Sequence, residues 1–390
     1  MQYRELGRTG IKVSEIGIGG GGLENKNYSD CETIIDYAMK NGINFIDIYN
    51  SNPDVRSNVG KALSRYPRDR FVVEGHLCSM WENGQYRRTR NMDEIVATYE
   101  DFLTRMHLDY VDVGMIHYVD DERDFNSIFH GEIIQYAKKL KAEGVVRCLG
   151  ISTHNPDIAL KAVGSGLIDV ILFSINAAYD MLPASEDVDI LFEENTFTGR
   201  TYEGINPQRS LLYQTCQNAG VALTVMKGYA AGVLLDGAQS PFGNAMTPVQ
   251  CLHYCLTRPA VASVMVGVSD TDETLAALAY TTANDAQKDY STILANAPKR
   301  AFHGHCMYCG HCAPCAKKID IAAVNKYLDL ALIQKSVPET LHNHYYLLEH
   351  HANECIACGQ CMKNCPFGVD VISKMRQAVA LFEGQAYNSQ

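Results

Sequence analysis

The sequence predicts an α/β protein: a (β/α)8 barrel of the TIM type over residues 1–290, then a small α-helical domain over residues 298–390. Three observations predict it. Short apolar runs rich in Val and Ile alternate with segments of helical spacing up to about residue 282. The helix boundaries between them carry start and stop residues. Beyond that point the pattern changes, and eight cysteines fall in two runs of four.

The apolar runs are Glu15–Gly20, Asn44–Tyr49, Phe71–His76, Val111–His117, Val146–Ser152, Val170–Asn176, Val221–Lys227 and Ser263–Ser269. Near-continuous apolar strands suit a parallel sheet buried on both faces. Ser29 and Glu32 have the spacing of a capping box, and Thr247-Pro248-Val-Gln250 puts Pro at the first helical position and Gln at the third. Gly42, Gly144 and Gly220 mark helix ends. Eight such units match a barrel. A doubly wound open sheet fits the same alternation.

The tail reads Cys306-Met-Tyr-Cys309-Gly-His-Cys312-Ala-Pro-Cys315 and Cys355-Ile-Ala-Cys358-Gly-Gln-Cys361-Met-Lys-Asn-Cys365-Pro366. The second run has the C-x2-C-x2-C-x3-C-P spacing of iron–sulfur sites; the first is one residue shorter at its end and has Ala316 in place of proline. Structural zinc takes one set of four ligands, commonly from two C-x2-C pairs, so two complete runs favour two 4Fe–4S clusters. Between the runs, Ile319–Gln334 and Glu339–Ala352 read as helices separated by Pro338. His342, His344, His350 and His351 are expected on a polar helix face. Cys251 and Cys255, at i and i+4, are expected in the core.

With 390 residues and a net charge of −11, the chain is not expected to bind nucleic acid or an anionic membrane. It has no apolar run of spanning length, and its polar start is not a signal peptide, so a cytoplasmic, reducing location is expected. In a barrel the working residues sit at the C-terminal strand ends. Those positions hold Asp47, Tyr49, His76, His117, Ser152 to Asn155, Asn176, Lys227, and Gly267 to Ser269. Two insertions belong to the same face: Cys78–Asn91, with Trp81, Tyr86, Arg87, Arg88 and Arg90, and Pro183–Pro207, with Arg200 and Tyr202. The arginines suit an anionic substrate.

MQYRELGRTGIKVSEIGIGG resembles the opening of an aldo-keto reductase, and GINFIDIY, VGKAL, LDYVDVGMIH, GVVRCLGIST and VMVGVS follow in that family's order. The tail resembles the two-cluster, ferredoxin-like domain of an iron–sulfur subgroup of the family. The resemblance implies a tetrad of Asp, Tyr, Lys and His. Asp47 matches the aspartate and His117 the histidine, whereas Asn52 stands at the tyrosine position and His76 at the lysine position. Histidine titrates near neutrality, so His76 and His117 are candidate acids, with Asp47 orienting one of them and Tyr49 on the same face of its strand.

The resemblance also implies nicotinamide contacts. Ser152 and Asn176 match such positions, Leu172 replaces a glutamine, and Lys227, Gly267 and Ser269 are further candidates. Asp270, Asp272 and Glu273 crowd the expected phosphate site, which disfavours NADPH bound in the family manner and leaves NAD(P)H open. By the two-cluster ferredoxin pattern, Cys306, Cys309, Cys312 and Cys365 hold one cluster and Cys355, Cys358, Cys361 and Cys315 the other. The expected activity is oxidoreduction at a carbonyl or alcohol carbon of a small molecule, with electrons passing through the clusters to or from a ferredoxin-like partner. A lyase or isomerase on the same site, an electron-transfer protein on a degenerate barrel, and an NAD(P)H-dependent reductase with structural clusters are the alternatives.

Overall fold

The computed structural model describes residues 1–187, 204–295, 304–332 and 337–384. An antiparallel hairpin, β1 (Tyr3–Glu5) and β2 (Lys12–Ser14), plugs the N-terminal end of a barrel. Its Leu6, Ile11 and Val13 share an apolar cluster with Phe45, Val72, Val170 and Ala222, which lie at the beginnings of barrel strands.

The barrel strands are β3 (Ile16–Gly19), β4 (Phe45–Ile48) and β5 (Val72–Leu77), then, after a second antiparallel hairpin β6 (Ser79–Glu82) and β7 (Gln85–Arg88), β8 (Val111–Ile116), β9 (Val146–Thr153), β10 (Val170–Ser174), β11 (Ala222–Met226) and β12 (Val261–Gly267). Every barrel pair is parallel, the strands follow chain order, and β12 pairs with β3. Closure excludes the open sheet. Each strand lies within two residues of its expected bounds. The sheet is buried on both faces. Inside, Met115, Leu172 and Met265 fill the lumen, and Met265 occupies the space that a Cβ on Gly17 would need, its Sδ 2.6 Å away. Outside, a larger core lies between strands and helices.

The surrounding helices are α1 (Tyr28–Lys40), α2 (Pro53–Leu63), α3 (Met92–Met106), α4 (Glu122–Phe129), α5 (Glu132–Ala142), α6 (Pro156–Gly164), α7 (Pro207–Ala219), α8 (Pro248–Leu256) and α9 (Thr271–Leu278). Thr247 and Gln250 form the expected capping box on α8. The box expected at Ser29 and Glu32 does not form: α1 starts earlier, from Asn27, whose side chain accepts the Asp30 N–H. Glu32 instead accepts from the Tyr28 hydroxyl and pairs with Arg65, both at 2.6 Å. Gly42, Gly144 and Gly220 end helices at φ of 86°, 76° and 64°, where only glycine is unstrained.

Two short helices, α10 (Asp285–Lys288) and α11 (Ser291–Ala295), lead away from the barrel. The tail contains α12 (Ile321–Leu332), α13 (Glu339–Tyr346), α14 (Gln360–Asn364) and α15 (Val371–Ala378). The helix expected to reach Ala352 stops at Tyr346, and the Tyr345 hydroxyl accepts the Ala352 N–H across the turn that follows. The tail packs on the barrel: the Tyr290 hydroxyl and Arg258 both donate to the Met307 carbonyl, at 2.7 and 3.1 Å. The expected domain junction near 298, the helix end at Gln334, and Arg200 and Tyr202 of the second insertion lie outside the described residues. No helix among the described residues is long and apolar enough to cross a membrane.

Candidate active site

The C-terminal strand ends surround a cavity of about 510 Å³. Asp47, Tyr49, His76 and His117 meet there, as expected from the sequence. Asp47 ends β4, His76 lies near the end of β5, and His117 follows β8, so three adjacent strands bring them together. The Nε2 of His76 is 2.8 Å from Asp47 Oδ1, and its Nδ1 is 2.7 Å from Nδ1 of His117. His117 Nε2 lies 2.7 Å from the hydroxyl of Tyr86. A single hydrogen-bonded line therefore runs Asp47–His76–His117–Tyr86. Tyr49 stacks parallel to the His117 ring at 6.1 Å.

Charge fixes the direction of this line. Burial alone would lower the His76 pKa, but the charges and hydrogen bonds of Asp47 and Glu74 outweigh it and raise it to about 9. His117 is pushed the other way, by burial and then by the His76 charge. His76 is thus an imidazolium at neutral pH, with an N–H at each nitrogen. It donates one to Asp47 and one to His117, which leaves the single His117 proton on Nε2, aimed at Tyr86. The phenol then keeps its own proton for the cavity. His76, at the position where the resemblance implied a lysine, thus places a buried positive charge beside Asp47.

Glu74 lies beneath this site, two residues before His76 on the same face of β5. It is fully buried, its Oε1 has no hydrogen-bond partner and lies 3.9 Å from His76 Nε2, and burial pushes its carboxyl up to about 7. Asp47, Glu74 and His76 present atoms within 4.8 Å of one another, close enough to hold a cation. The protonated ring supplies that positive charge.

Asn52 has another task. It caps α2, its side chain accepting the Asp54 N–H at 2.9 Å ahead of Pro53 at the first helical position. The position at which the resemblance implied a tyrosine is therefore used to start a helix. Tyr86, which the sequence placed only in an insertion, brings a phenol to the site on the β6–β7 hairpin. His154 belongs to the stretch Ser152–Asn155 expected at the strand ends, though no role was expected of it. It lines the cavity, and its Nδ1 is held by Asp120 at 2.8 Å. Tyr118 and Lys227, also in the lining, follow strand ends with φ of 52° and 62°, a strained conformation that re-aims both chains into the cavity.

The expected cofactor contacts divide. Ser152, Lys227 and Gly267 line the cavity, with Leu172. Asn176 does not: its amide donates to the Lys227 carbonyl and accepts from the Ala178 and Tyr179 N–H groups, which braces the loop after β10. Ser269 also lies outside, bonded through backbone and hydroxyl to Glu273. Asp270 caps α9 by accepting the Glu273 N–H. Two amides at that helix start, those of Ser269 and Glu273, are thus occupied by the chain's own carboxylates.

The arginines of the first insertion are paired within the protein. Arg87 meets Glu82 and Glu94 at 2.9 and 3.0 Å, Arg90 meets Asp124 at 2.7 Å, and Arg88 donates to the Tyr118 carbonyl. None of the three lines the cavity, so the expected anion clamp is not built there. The opposing Asp124 comes from α4, distant in sequence.

In the tail two small cavities sort the cysteines. One is lined by Cys306, Cys309, Cys312 and Cys365, the other by Cys315, Cys355, Cys358 and Cys361. Each set takes its fourth member from the opposite run. The walls are apolar, including Phe367, Val369 and Val371 around the first and Ile319, Ile321 and Met375 around the second. The Asn325 side-chain amide donates to Cys306 Sγ at 3.3 Å, an interaction that suits a thiolate. These donor sets fit two four-thiolate clusters. The four tail histidines do not form a metal-ligand group among the described residues; His350 pairs with Glu354. Cys251 and Cys255 are buried in the core.

The aldo/keto reductase family model matches residues 15–247, and a 4Fe-4S dicluster domain matches residues 279–370. The chain is 28% identical to the L-galactose dehydrogenase of Arabidopsis thaliana over 305 residues, covering 71% of this chain and 88% of that protein. It is 29% identical over 216 residues to the NADH-specific methylglyoxal reductase of Escherichia coli, covering 49% and 63%. Among solved structures, an aldo-keto reductase of Bacillus halodurans in its holo form superimposes with a TM-score of 0.58 at 22% identity, covering 78% of this chain and 99% of that one.

Proposed function

The chain belongs to the aldo/keto reductase family and carries a 4Fe-4S dicluster domain behind its barrel, and from that premise we propose that it interconverts a carbonyl and an alcohol on a small molecule, with the proton handled by Asp47, His76, His117 and Tyr86. The observation that carries this reading is the unbroken line of hydrogen bonds at 2.8, 2.7 and 2.7 Å, ending in a phenol on the cavity wall. In the reducing direction the Tyr86 hydroxyl gives its proton to the carbonyl oxygen. His117 Nε2–H refills the phenol, and His76 Nδ1–H refills His117. The line ends with a neutral His76, so one proton has left the imidazolium and one has reached the oxygen. Asp47 and Glu74 hold the charge before transfer, and Tyr49 covers the face of His117.

When bound, two 4Fe–4S clusters each supply one electron, and together they hold the pair that reducing a carbonyl to an alcohol takes. Cys306, Cys309, Cys312 and Cys365 would hold one, and Cys315, Cys355, Cys358 and Cys361 the other. Two features support this electron source over NADPH. The helix start after Gly267 is filled by Asp270 and Glu273, and Cys358 is exposed, beside exposed Ile356 and Met362, where a ferredoxin-like donor could approach.

Methylglyoxal and a panel of small ketones and aldehydes, offered anaerobically with reduced viologen or with NADPH, test the reading. Viologen-driven alcohol formation that falls by about a hundredfold in His117→Gln supports it, the loss expected on removing a general acid–base group. Turnover driven by NADPH alone, unaffected by that substitution, would overturn it.

A further inference from the structure

Arg258 lies between the barrel and the first cysteine set and belongs to neither the cavity nor its proton line. It is 2% exposed, in the turn between α8 and β12. Its Nη2 donates to the Met307 carbonyl at 3.1 Å, within the first run, and to the Tyr290 hydroxyl at 3.3 Å. Its Nε donates to the Tyr254 carbonyl, and its guanidinium lies 5.4 Å from the centre of the Tyr308 ring. Met307 and Tyr308 are the two residues between Cys306 and Cys309.

The charge is poorly matched. Among the described residues Arg258 forms no ion pair, and its buried Nη1 has no hydrogen-bond partner. Asp180, a buried carboxylate that favours the Arg258 charge through space, forms no ion pair with it and is engaged by Arg209 at 3.7 Å and by the hydroxyls of Tyr213 and Tyr254. Asp329 faces the same run through the Tyr308 hydroxyl, but it is paired with Lys374 at 2.6 Å. Arg4, Glu5 and Lys326 share a cavity wall with Arg258, and Arg4 is paired with Glu15 at 3.5 Å, which leaves Lys326 beside Arg258. An arginine cannot shed its proton, and a buried cation without a counter-charge in contact is costly. An anionic, thiolate-bound cluster in the adjoining cavity would supply that counter-charge.

We propose that Arg258 raises the reduction potential of the cluster held by Cys306, Cys309, Cys312 and Cys365 relative to that of the cluster held by Cys315, Cys355, Cys358 and Cys361. Reduction adds a negative charge to a centre, and a nearby buried cation favours the reduced form; the one cation lining the second set's cavity among the described residues, Lys317, is exposed, and that set includes an exposed cysteine. Arg258 is a positioning residue for charge, touching no reacting atom. The inference rests on the cluster assignment proposed above.

The test is a redox titration of the intact, anaerobically purified protein followed by electron paramagnetic resonance. Cys358→Ser identifies the outer signal. In Arg258→Gln the inner potential falls by at least 59 mV, a tenfold change in its reduction equilibrium, while the outer one stays put. Arg258→Lys keeps most of the difference. Should Arg258→Gln fail to fold, Lys326→Gln, at the half-exposed rim of the same seam, gives a smaller fall in the same cluster. Equal shifts of both clusters, or none in either variant, overturn the role of Arg258. Iron and sulfide sufficient for fewer than two clusters overturn the assignment beneath it.

Discussion

Replacing Asp47 by Asn should remove a pH dependence of stability that His76 creates. The His76 ring is buried and its pKa is raised from 6.5 to about 9. Below pH 6.5 the ring is protonated whether the chain is folded or not, and its pairing with Asp47 contributes in full. Above pH 9 it is neutral in both states and the contribution is gone. A shift of this size corresponds to about 3 kcal/mol, lost as pH rises between the two values. Glu74, raised from 4.5 to about 7, loses its own contribution mostly below that window. Asp47 Oδ1, at 2.8 Å, supplies the larger part of the attraction, and Glu74 Oε1 stands farther off at 3.9 Å. Thermal unfolding of the intact protein, followed anaerobically by near-ultraviolet circular dichroism from pH 6 to 10, measures the effect. The wild type should lose stability steeply between pH 6.5 and 9, and Asp47→Asn should be nearly flat there. Superimposable profiles would refute the assignment of a charged His76.

Three more outcomes follow from the same geometry. Tyr86→Phe should slow carbonyl turnover by roughly a hundredfold or more while leaving the melting temperature nearly unchanged, because it removes a hydroxyl on a half-exposed hairpin; unchanged turnover would show that the phenol is not the acid. Asn52→Ala should cost about 1 kcal/mol in urea unfolding through loss of the α2 cap, and Asn52→Asp should restore it; equal stability of the two would mean the cap is not what this position supplies. Arg87→Ala should leave KM for any substrate within about twofold, since its charge is already met by Glu82 and Glu94; a large rise in KM would restore an anion clamp.

Much of this was legible in the chain because the barrel repeats one physical device. Each parallel strand is an apolar run, so the polar residue that ends it stands out, and Asp47, His76 and His117 were found in that way. Glu74 carried a signal too: a carboxylate two residues before His76 in an apolar strand must point to the same face and be buried with it. Tyr86 carried none, because its approach to His117 depends on a hairpin folding over the barrel mouth. The arginines looked free for the same reason, since Asp124 reaches them from another helix. Asn176 and Ser269 were assigned by position alone, and their side chains are spent on local backbone and on Glu273. In the tail the two-cluster pattern led to sets that exchange the last cysteine of each run, and the same two sets line the two small cavities.

The central claim is that the barrel supplies the proton and the cysteine clusters the electrons. A single-turnover experiment tests it most directly. The protein is reduced chemically, freed of reductant and mixed anaerobically with a carbonyl compound that it turns over, in the absence of any nucleotide, while cluster signals and alcohol are measured together. The account predicts that the reduced-cluster resonance disappears as alcohol forms, with two electrons lost per alcohol. Alcohol that forms only when NADPH or NADH is added, with the cluster signals unchanged, would contradict it.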